Sequence, residues 1–177
     1  VIVMELARIA DHIICNGILG VDTGAFSGFL YVMQEREFIY EIFEEICGAR
    51  LTTNIGRIGG FERDFNEVAF RKIEEFLKRF PPVLKEFENL FVRNRIFIER
   101  TAGVAAVTPE VALDYSWSGP ILRATGVDYD VRATAPYSSY EEFEFDVPVG
   151  TNGDVYDRFM VRNAEMWQSL RIIEQAL

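Results

Sequence analysis

Between Ala69 and Phe80 the apolar residues Ala69, Ile73, Phe76, Leu77 and Phe80 recur at the three- and four-residue spacing of one helix face. Pro81-Pro82 follows at once and predicts a stop, because neither proline has an amide hydrogen to give to the preceding turn. A second stripe, Val83, Phe87, Leu90 and Phe91, predicts a new helix that starts on those prolines. Stripes this aromatic need other helices to cover them, so the chain is committed to a packed helical assembly.

The flanking sequence supplies those helices. Residues 3–20 place Leu6, Ile9 and Ile13 on one helix face. A helix from about Gln34 to Cys47 closes on Gly48, the residue type suited to a left-handed C-terminal position. The loop Arg57-Ile58-Gly59-Gly60 follows. Over residues 101–150 prolines, glycines and aromatics are scattered without a sustained period. Within that stretch Glu142 to Val147 alternates, with Phe143, Phe145 and Val147 on one face, and predicts a short strand. Asn152-Gly153-Asp154 offers caps for a last helix that turns Phe159, Met166, Leu170, Ile173 and Leu177 toward the core.

The expected fold is mainly α, a helical bundle with a small loop-rich β insert. It is read as one domain over residues 1–177, with the bundle in 1–95, the insert in 101–150 and the closing helix in 152–177. A chain of 177 residues that is 49% apolar and 14% aromatic can bury a core and is not disordered. Val1-Ile2-Val3-Met4 enters an apolar run without an N-cap, and Leu177 stops inside a helical pattern. The sequence is therefore expected to be an internal portion of a longer chain.

Charge and cysteine usage narrow the function. A formal net charge of −10 argues against a nucleic-acid binder and against adhesion to an anionic membrane surface. Cys15 and Cys47, alone in a chain this long, do not make a secreted disulfide scaffold and point to a reducing, cytosolic compartment. No apolar run reaches the roughly 18 to 20 residues of a membrane span. The best candidate, Ile9 to Val21, is broken by Asp11, His12, Asn16 and two glycines.

The sharpest local feature is Gly20, Gly24 and Gly28, one every four residues. On a continuous helix they form a smooth strip for a close-approaching backbone or flat ligand. The competing reading is a turn or broken helix. At about 100° per residue Asp22 points away from the strip, on the side of Ile18, Ala25, Phe26 and Phe29. A carboxylate in such company must be hydrogen-bonded, paired or protonated. Proton-transfer chemistry uses carboxyls in clefts of this kind. The plainer alternative is an Asp that caps a broken helix. Asp22-Thr23-Gly24 also imitates the Asp-Thr-Gly of aspartic proteases, but there is no second copy and the flanks are helical.

Other constellations carry less. His12 and Cys15 can share a helix face, yet no third soft ligand lies nearby, and a hydrogen-bonded core histidine is the simpler reading. No Cys-x-x-Cys pair is present for an iron–sulfur or nickel centre, and Gly56-Arg57-Ile58-Gly59-Gly60 lacks phosphate-loop spacing. Arg50, Arg57, Arg123, Arg132 and Arg158 sit in irregular stretches. Together with Asp128, Asp130, Asp146, Asp154 and Asp157 they suggest loops tied by ion pairs or docked on a partner.

Several stretches taken together resemble the D subunit of respiratory complex I. Glu5-Leu6-Ala7-Arg8-Ile9-Ala10-Asp11-His12 resembles the family's opening helix, and Asp22-Thr23-Gly24-Ala25 stands at its Asp-x-Gly-Ala. Glu35-Arg36-Glu37, Gly48-Ala49-Arg50 and Arg57-Ile58-Gly59-Gly60 follow at family spacing. Ser118-Gly119-Pro120-Ile121-Leu122-Arg123, Asp130-Val131-Arg132, Pro136-Tyr137, Phe145-Asp146-Val147-Pro148-Val149-Gly150 and Gly153-Asp154-Val155-Tyr156-Asp157-Arg158 continue the order. Glu165-Met166-Trp167-Gln168-Ser169-Leu170 lies in the last helix. The likeness covers essentially the whole chain, and the joint order is more specific than any one motif.

The resemblance implies a hydrogenase-large-subunit-like helical core and a place in the quinone-reducing module of a proton-translocating NADH:quinone oxidoreductase. A partner iron–sulfur subunit would bring electrons, and quinone would be the substrate. The His and Tyr that hold the quinone head group lie upstream of Val1, and Asp22 matches the Asp that partners that His. Asp22 is thus the expected catalytic residue, with Ile18, Phe26 and Phe29 toward the quinone and Thr52 and Arg57 on a loop facing the cluster. This chain would bind no metal or cofactor of its own and would be inactive in isolation. The intact assembly would stand in the peripheral arm, on the cytoplasmic side of the bacterial inner membrane. Thr52 replaces a His common in the family and can hydrogen-bond but not titrate near neutral pH. Ala133 and Val155 replace a common Lys and Cys. The family's kinship to nickel–iron hydrogenases does not extend to the missing metal-binding cysteines. The alternative function is a scaffold that docks partner subunits without a catalytic residue.

Overall fold

The computed structural model describes residues 1–177. Helix α1 (Ile2–Asp22) buries Leu6, Ile9 and Ile13 and ends in a tight C-terminal turn. Gly24 takes a left-handed φ of 96°. Its amide donates to Val21 and that of Ala25 donates to Gly20, the paired bonds that close a helix on glycine. Thr23 adds its hydroxyl, donating to the carbonyls of Leu19 and Gly20 at 2.9 and 3.0 Å. The chain turns back at once into α2 (Phe26–Cys47), which ends on Gly48 at φ 75°.

After α2 comes an antiparallel two-residue hairpin, β1 (Gly56–Arg57) and β2 (Gly60–Phe61), with Gly56 opposite Phe61 and Arg57 opposite Gly60. Helix α3 (Glu67–Phe91) is then capped by Asn66, whose side chain accepts from the Ala69 amide at 2.8 Å.

The prolines do not stop α3; it runs through Pro81 and Pro82 as one helix. The buried positions Ala69, Ile73, Phe76, Phe80, Leu84, Phe87 and Phe91 keep one phase across the prolines. Two missing amide hydrogens are offset by an unbroken buried face. The second stripe is shifted accordingly: Leu84 is buried, while Leu90 is 50% exposed.

The remaining elements are α4 (Arg95–Thr101), α5 (Pro109–Asp114), α6 (Gly119–Arg123), α7 (Val131–Thr134), a 3-10 turn at Tyr140–Glu142 and α8 (Val155–Ala176). Asp154 caps α8, accepting from the Asp157 amide at 2.8 Å. Phe159, Met166, Leu170 and Ile173 are buried as expected, but Leu177 is 46% exposed. The core is shared by α1, α2, α3, α4 and α8, with Phe87, Phe91, Phe97 and Phe159 in one aromatic cluster.

The fold is mainly α with one small β element, but that element lies at residues 56–61 rather than 142–147. Residues 143–147 do alternate in burial, with Phe143, Phe145 and Val147 turned partly inward. No strand pairs with them. Two of their amides donate instead to side chains of α8, Glu144 to Gln175 at 2.8 Å and Asp146 to Gln168 at 3.0 Å.

Candidate functional site

Asp22 is the last residue of α1. A carboxylate there meets the negative end of the helix dipole, so its charge does not serve the helix. It does not cap α2 either, whose first turn has no side-chain cap. Asp22 is exposed and lines an open cavity of about 340 Å³ with Cys15, Ile18, Leu19, Val155, Arg158 and Arg162. Two arginines therefore line the cavity beside Asp22.

This corrects the expected surroundings of Asp22. Ile18 shares its cavity, but Phe26 does not: it is 58% exposed and lines a separate groove of about 510 Å³ with Tyr31, Leu90 and Asn94. Phe29 is half-buried beside Phe26, close to Gly17. The reason is the break at Gly24, because angular positions counted along α1 do not carry into α2. Thr52 and Arg57 lie on the exposed segment between α2 and α3, and Arg57 pairs with Glu62 at 3.1 Å.

The glycine strip serves a side chain. A Cβ on Gly20 or on Gly28 would each sit 2.8 Å from Cζ of Phe91, so the ring is seated between the two helices where both lack side chains. Across the break, Arg100 of α4 donates to the Thr23 carbonyl at 2.6 Å. Phe91 and Arg100 fix the corner from which Asp22 projects.

A second constellation lies inside the fold. Arg132 is 1% exposed and pairs with Glu5 at 3.1 Å and Asp130 at 2.7 Å. Asp130 is 3.7 Å from Arg123, and Arg123 is 2.6 Å from Glu165. Glu165 is 3.9 Å from Arg8, and Arg8 is 3.3 Å from Glu5. The six residues close a ring of alternating charge. Ser169 donates to Glu5 at 2.6 Å, the Tyr140 hydroxyl donates to the same carboxylate, and His12 meets Glu165 at 2.7 Å through Nε2. His12 is thus a buried, hydrogen-bonded core residue.

The ring sets the ionisation of two of its acids, Glu165 and Asp130. Burial alone would raise the Glu165 carboxyl, but the His12 hydrogen bond and the Arg123 charge outweigh it and hold it below the usual carboxylate range. Asp130 is likewise held low: burial opposes this, and the Arg132 hydrogen bond and charge prevail. Burial, and then the hydrogen bond to Glu5, push the Tyr140 hydroxyl up.

Carboxyls whose folded values lie below their unfolded values of about 4 stabilise the fold above that pH, and the contribution is lost as pH falls through the folded values. Acid titration of the unfolding free energy should therefore show a steep loss below about pH 4, and Glu165→Gln should flatten it. An unchanged acid slope in that variant would remove Glu165 from the account.

The sequence pattern singled out Arg123, Arg132 and Asp130 but not Glu5, Glu165, Tyr140 or Ser169. The signal was present: Glu5, Arg8 and His12 fall at helical spacing on α1, as do Glu165 and Ser169 on α8. Among the loop arginines, Arg50 pairs with Glu37 and Glu44 at the surface. Arg158 donates to the carbonyls of Ala105 and Gly153 at 2.6 and 2.7 Å.

The family described as respiratory-chain NADH dehydrogenase, 49 Kd subunit, matches residues 22–177. The chain belongs to this family. It is 71% identical to the D 2 subunit of the NADH-quinone oxidoreductase of Cytophaga hutchinsonii over 177 residues, covering 100% of this chain and 45% of that protein. The D subunit of the Flavobacterium johnsoniae oxidoreductase is also 71% identical, with 100% and 43% covered. Its Leptospira biflexa counterpart is 52% identical, with 99% and 43% covered. The chain thus spans a little under half the length of these curated relatives. No helix is long and apolar enough to cross a membrane, and no group of three or more His, Cys, Asp or Glu side chains is arranged to hold a metal ion.

Proposed function

We propose that this chain forms part of the quinone-reducing module of a proton-translocating NADH:quinone oxidoreductase. In that reading Asp22 is the acid–base partner near the quinone, and Ile18 lines the same cavity. Phe26 and Phe29 flank the adjoining corner, and the loop with Thr52 and Arg57 faces an iron–sulfur cluster held by a partner subunit. The assembly works in the peripheral arm on the cytoplasmic side of the membrane. The observation that carries the reading is the placement of Asp22. It sits where a carboxylate opposes the helix dipole, it caps nothing, and it opens on a cavity with Arg158 and Arg162. Family membership supports this reading.

A carboxylate in this position takes or gives a proton at its oxygen. The test is Asp22→Asn in the intact complex. NADH-driven quinone reduction should fall on the order of a hundredfold, the usual scale for losing an acid–base group. NADH reduction of an artificial acceptor should hold.

A scaffold reading is favoured by the exposure of Asp22, since a quinone-site carboxylate is expected to be partly buried; the uncovered apolar side chains of Leu51 and Ile58 fit both readings. It predicts that both activities survive the substitution, and that outcome would replace the first reading.

A further inference from the structure

The two arginines of the Asp22 cavity are half-buried, and they are held differently from the buried arginines of the ring. Arg123 and Arg132 are neutralised by carboxylates, 2.6 Å from Glu165 and 2.7 Å from Asp130. Arg158 instead donates from Nη2 to the carbonyls of Ala105 and Gly153, at 2.6 and 2.7 Å. Arg162 donates from Nη1 to the Arg158 carbonyl at 3.1 Å. Neither forms an ion pair, although Asp and Glu outnumber Lys and Arg by 28 to 18 in the sequence. Asp22 lines the same cavity and pairs with neither, so it does not neutralise them. Backbone carbonyls fix the direction of a guanidinium and leave its net charge uncompensated.

The placement is unfavourable for the fold alone. Arg158 and Arg162 are one turn apart on α8, a spacing at which like charges repel. Arg158 also follows the capping residue Asp154 by one turn, and the positive end of a helix disfavours a cation. Burial, and then the Arg162 charge, lower the Arg158 guanidinium from its ordinary value, while Asp154 opposes them from a distance. The Asp154 carboxylate accepts from the amides of Gly103 and Asp157, at 2.7 and 2.8 Å. Arg162 acts on Asp11 in the same remote way. The two cations thus stand side by side at a cavity of about 340 Å³ whose lining includes the apolar Ile18, Leu19 and Val155. Apolar walls with a few fixed polar groups are the makeup of a small-molecule site. Cations already fixed there meet a negative charge without reorganising.

We propose that Arg158 and Arg162 form an anion-binding wall of this cavity, which holds an apolar quinone-type ring by a negatively charged ring oxygen. The proposal rests on the quinone-site reading of Asp22. Each guanidinium makes its hydrogen bonds through one nitrogen, so further N–H donors remain for the ligand oxygen. The wall therefore favours the ionised form of a ring hydroxyl over the neutral form or its ether.

The test uses the intact complex and two inhibitors of NADH-driven quinone reduction. One is an alkyl hydroxynaphthoquinone, whose acidic ring hydroxyl is ionised at neutral pH. The other is its methyl ether, which carries no charge. Wild type should bind the ionised compound more tightly. Arg162→Gln should weaken that compound on the order of tenfold and leave the ether within about twofold. Arg162→Lys keeps a cation and should retain part of the preference. Equal weakening of both compounds in Arg162→Gln, or no weakening of either, overturns the proposal. If Arg162→Gln fails to assemble, wild type decides: the preference should vanish as pH falls through the ionisation of the hydroxyl, and a preference that persists overturns the wall. Asp22→Asn separates the two levels. If it leaves quinone reduction intact, the site reading falls and the proposal with it. If it abolishes quinone reduction while Arg162→Gln weakens both compounds equally, only the anion-binding wall falls.

Discussion

Arg132→Leu should cost the fold about 3 to 5 kcal/mol, because it strands two buried carboxylates, Glu5 and Asp130, without their shared cation. The side chain is 1% exposed, so solvent cannot take over the missing charge. The pair as a whole need not be worth that much, since burying ions has its own desolvation penalty. The double variant Arg132→Leu/Glu5→Gln separates these quantities. It removes one stranded charge and leaves an amide for Tyr140 and Ser169 to bond, so it should be more stable than Arg132→Leu alone. Urea unfolding of the four variants of this cycle gives the answer. A cost below about 1 kcal/mol for Arg132→Leu would mean that water or a rearranged arginine already supports the ring.

Phe91→Ala should be comparably damaging, at about 3 to 5 kcal/mol, for a different reason. The ring is 1% exposed and lies 4.8 Å from Phe87, 5.2 Å from Phe97 and 5.7 Å from Phe159 by centroid. Its far edge occupies the space left by Gly20 and Gly28. That geometry makes a sharper statement possible. In wild type Gly20→Ala should destabilise by about 1 to 3 kcal/mol, since a Cβ 2.8 Å from Phe91 Cζ overfills a site whose neighbours cannot yield. In the Phe91→Ala background the same change should become neutral or stabilising, because the methyl enters the cavity and alanine gains about 1 kcal/mol of helix propensity over glycine. Thermal unfolding of the four variants would reveal the reversal. Additive effects would show that the ring and the glycines do not share that space.

The helices were legible wherever one face alone had to be buried. Leu6, Ile9 and Ile13 in α1 and Phe159, Met166, Leu170 and Ile173 in α8 are buried where the helical period puts them. Legibility ended where a local rule met a longer-range one. Pro81-Pro82 is a stop signal within its own turn, but the buried face continues in phase on both sides and decides the outcome. The alternation at Phe143, Phe145 and Val147 reports a segment with one side turned inward, and it cannot say whether a strand or the glutamines of α8 will satisfy the backbone. Asp22 was singled out from its place beside the glycines. Its actual exposure depends on the turn at Gly24, which detaches Phe26 and Phe29 from its side. The buried ring was half visible, because its arginines and Asp130 stood out in loops while Glu5 and Glu165 were hidden among the many acids of the chain.

The ring also bears on how the molecule reaches its native state. Its members are drawn from opposite ends of the sequence, Glu5 from α1 and Glu165 from α8, with a sequence separation of 42 from Arg123 to Glu165 and of 127 from Glu5 to Arg132. Contacts of such separation form late, since the chain entropy of closing them must be overcome first. Until α8 docks, Arg123 and Arg8 lack their shared carboxylate, and an intermediate that buried them early would carry uncompensated charge. Collapse around a misplaced C-terminal helix would therefore be penalised, and α8 is expected to dock late in folding. A chain elongating from its N-terminus would hold this region open until Glu165 has been made.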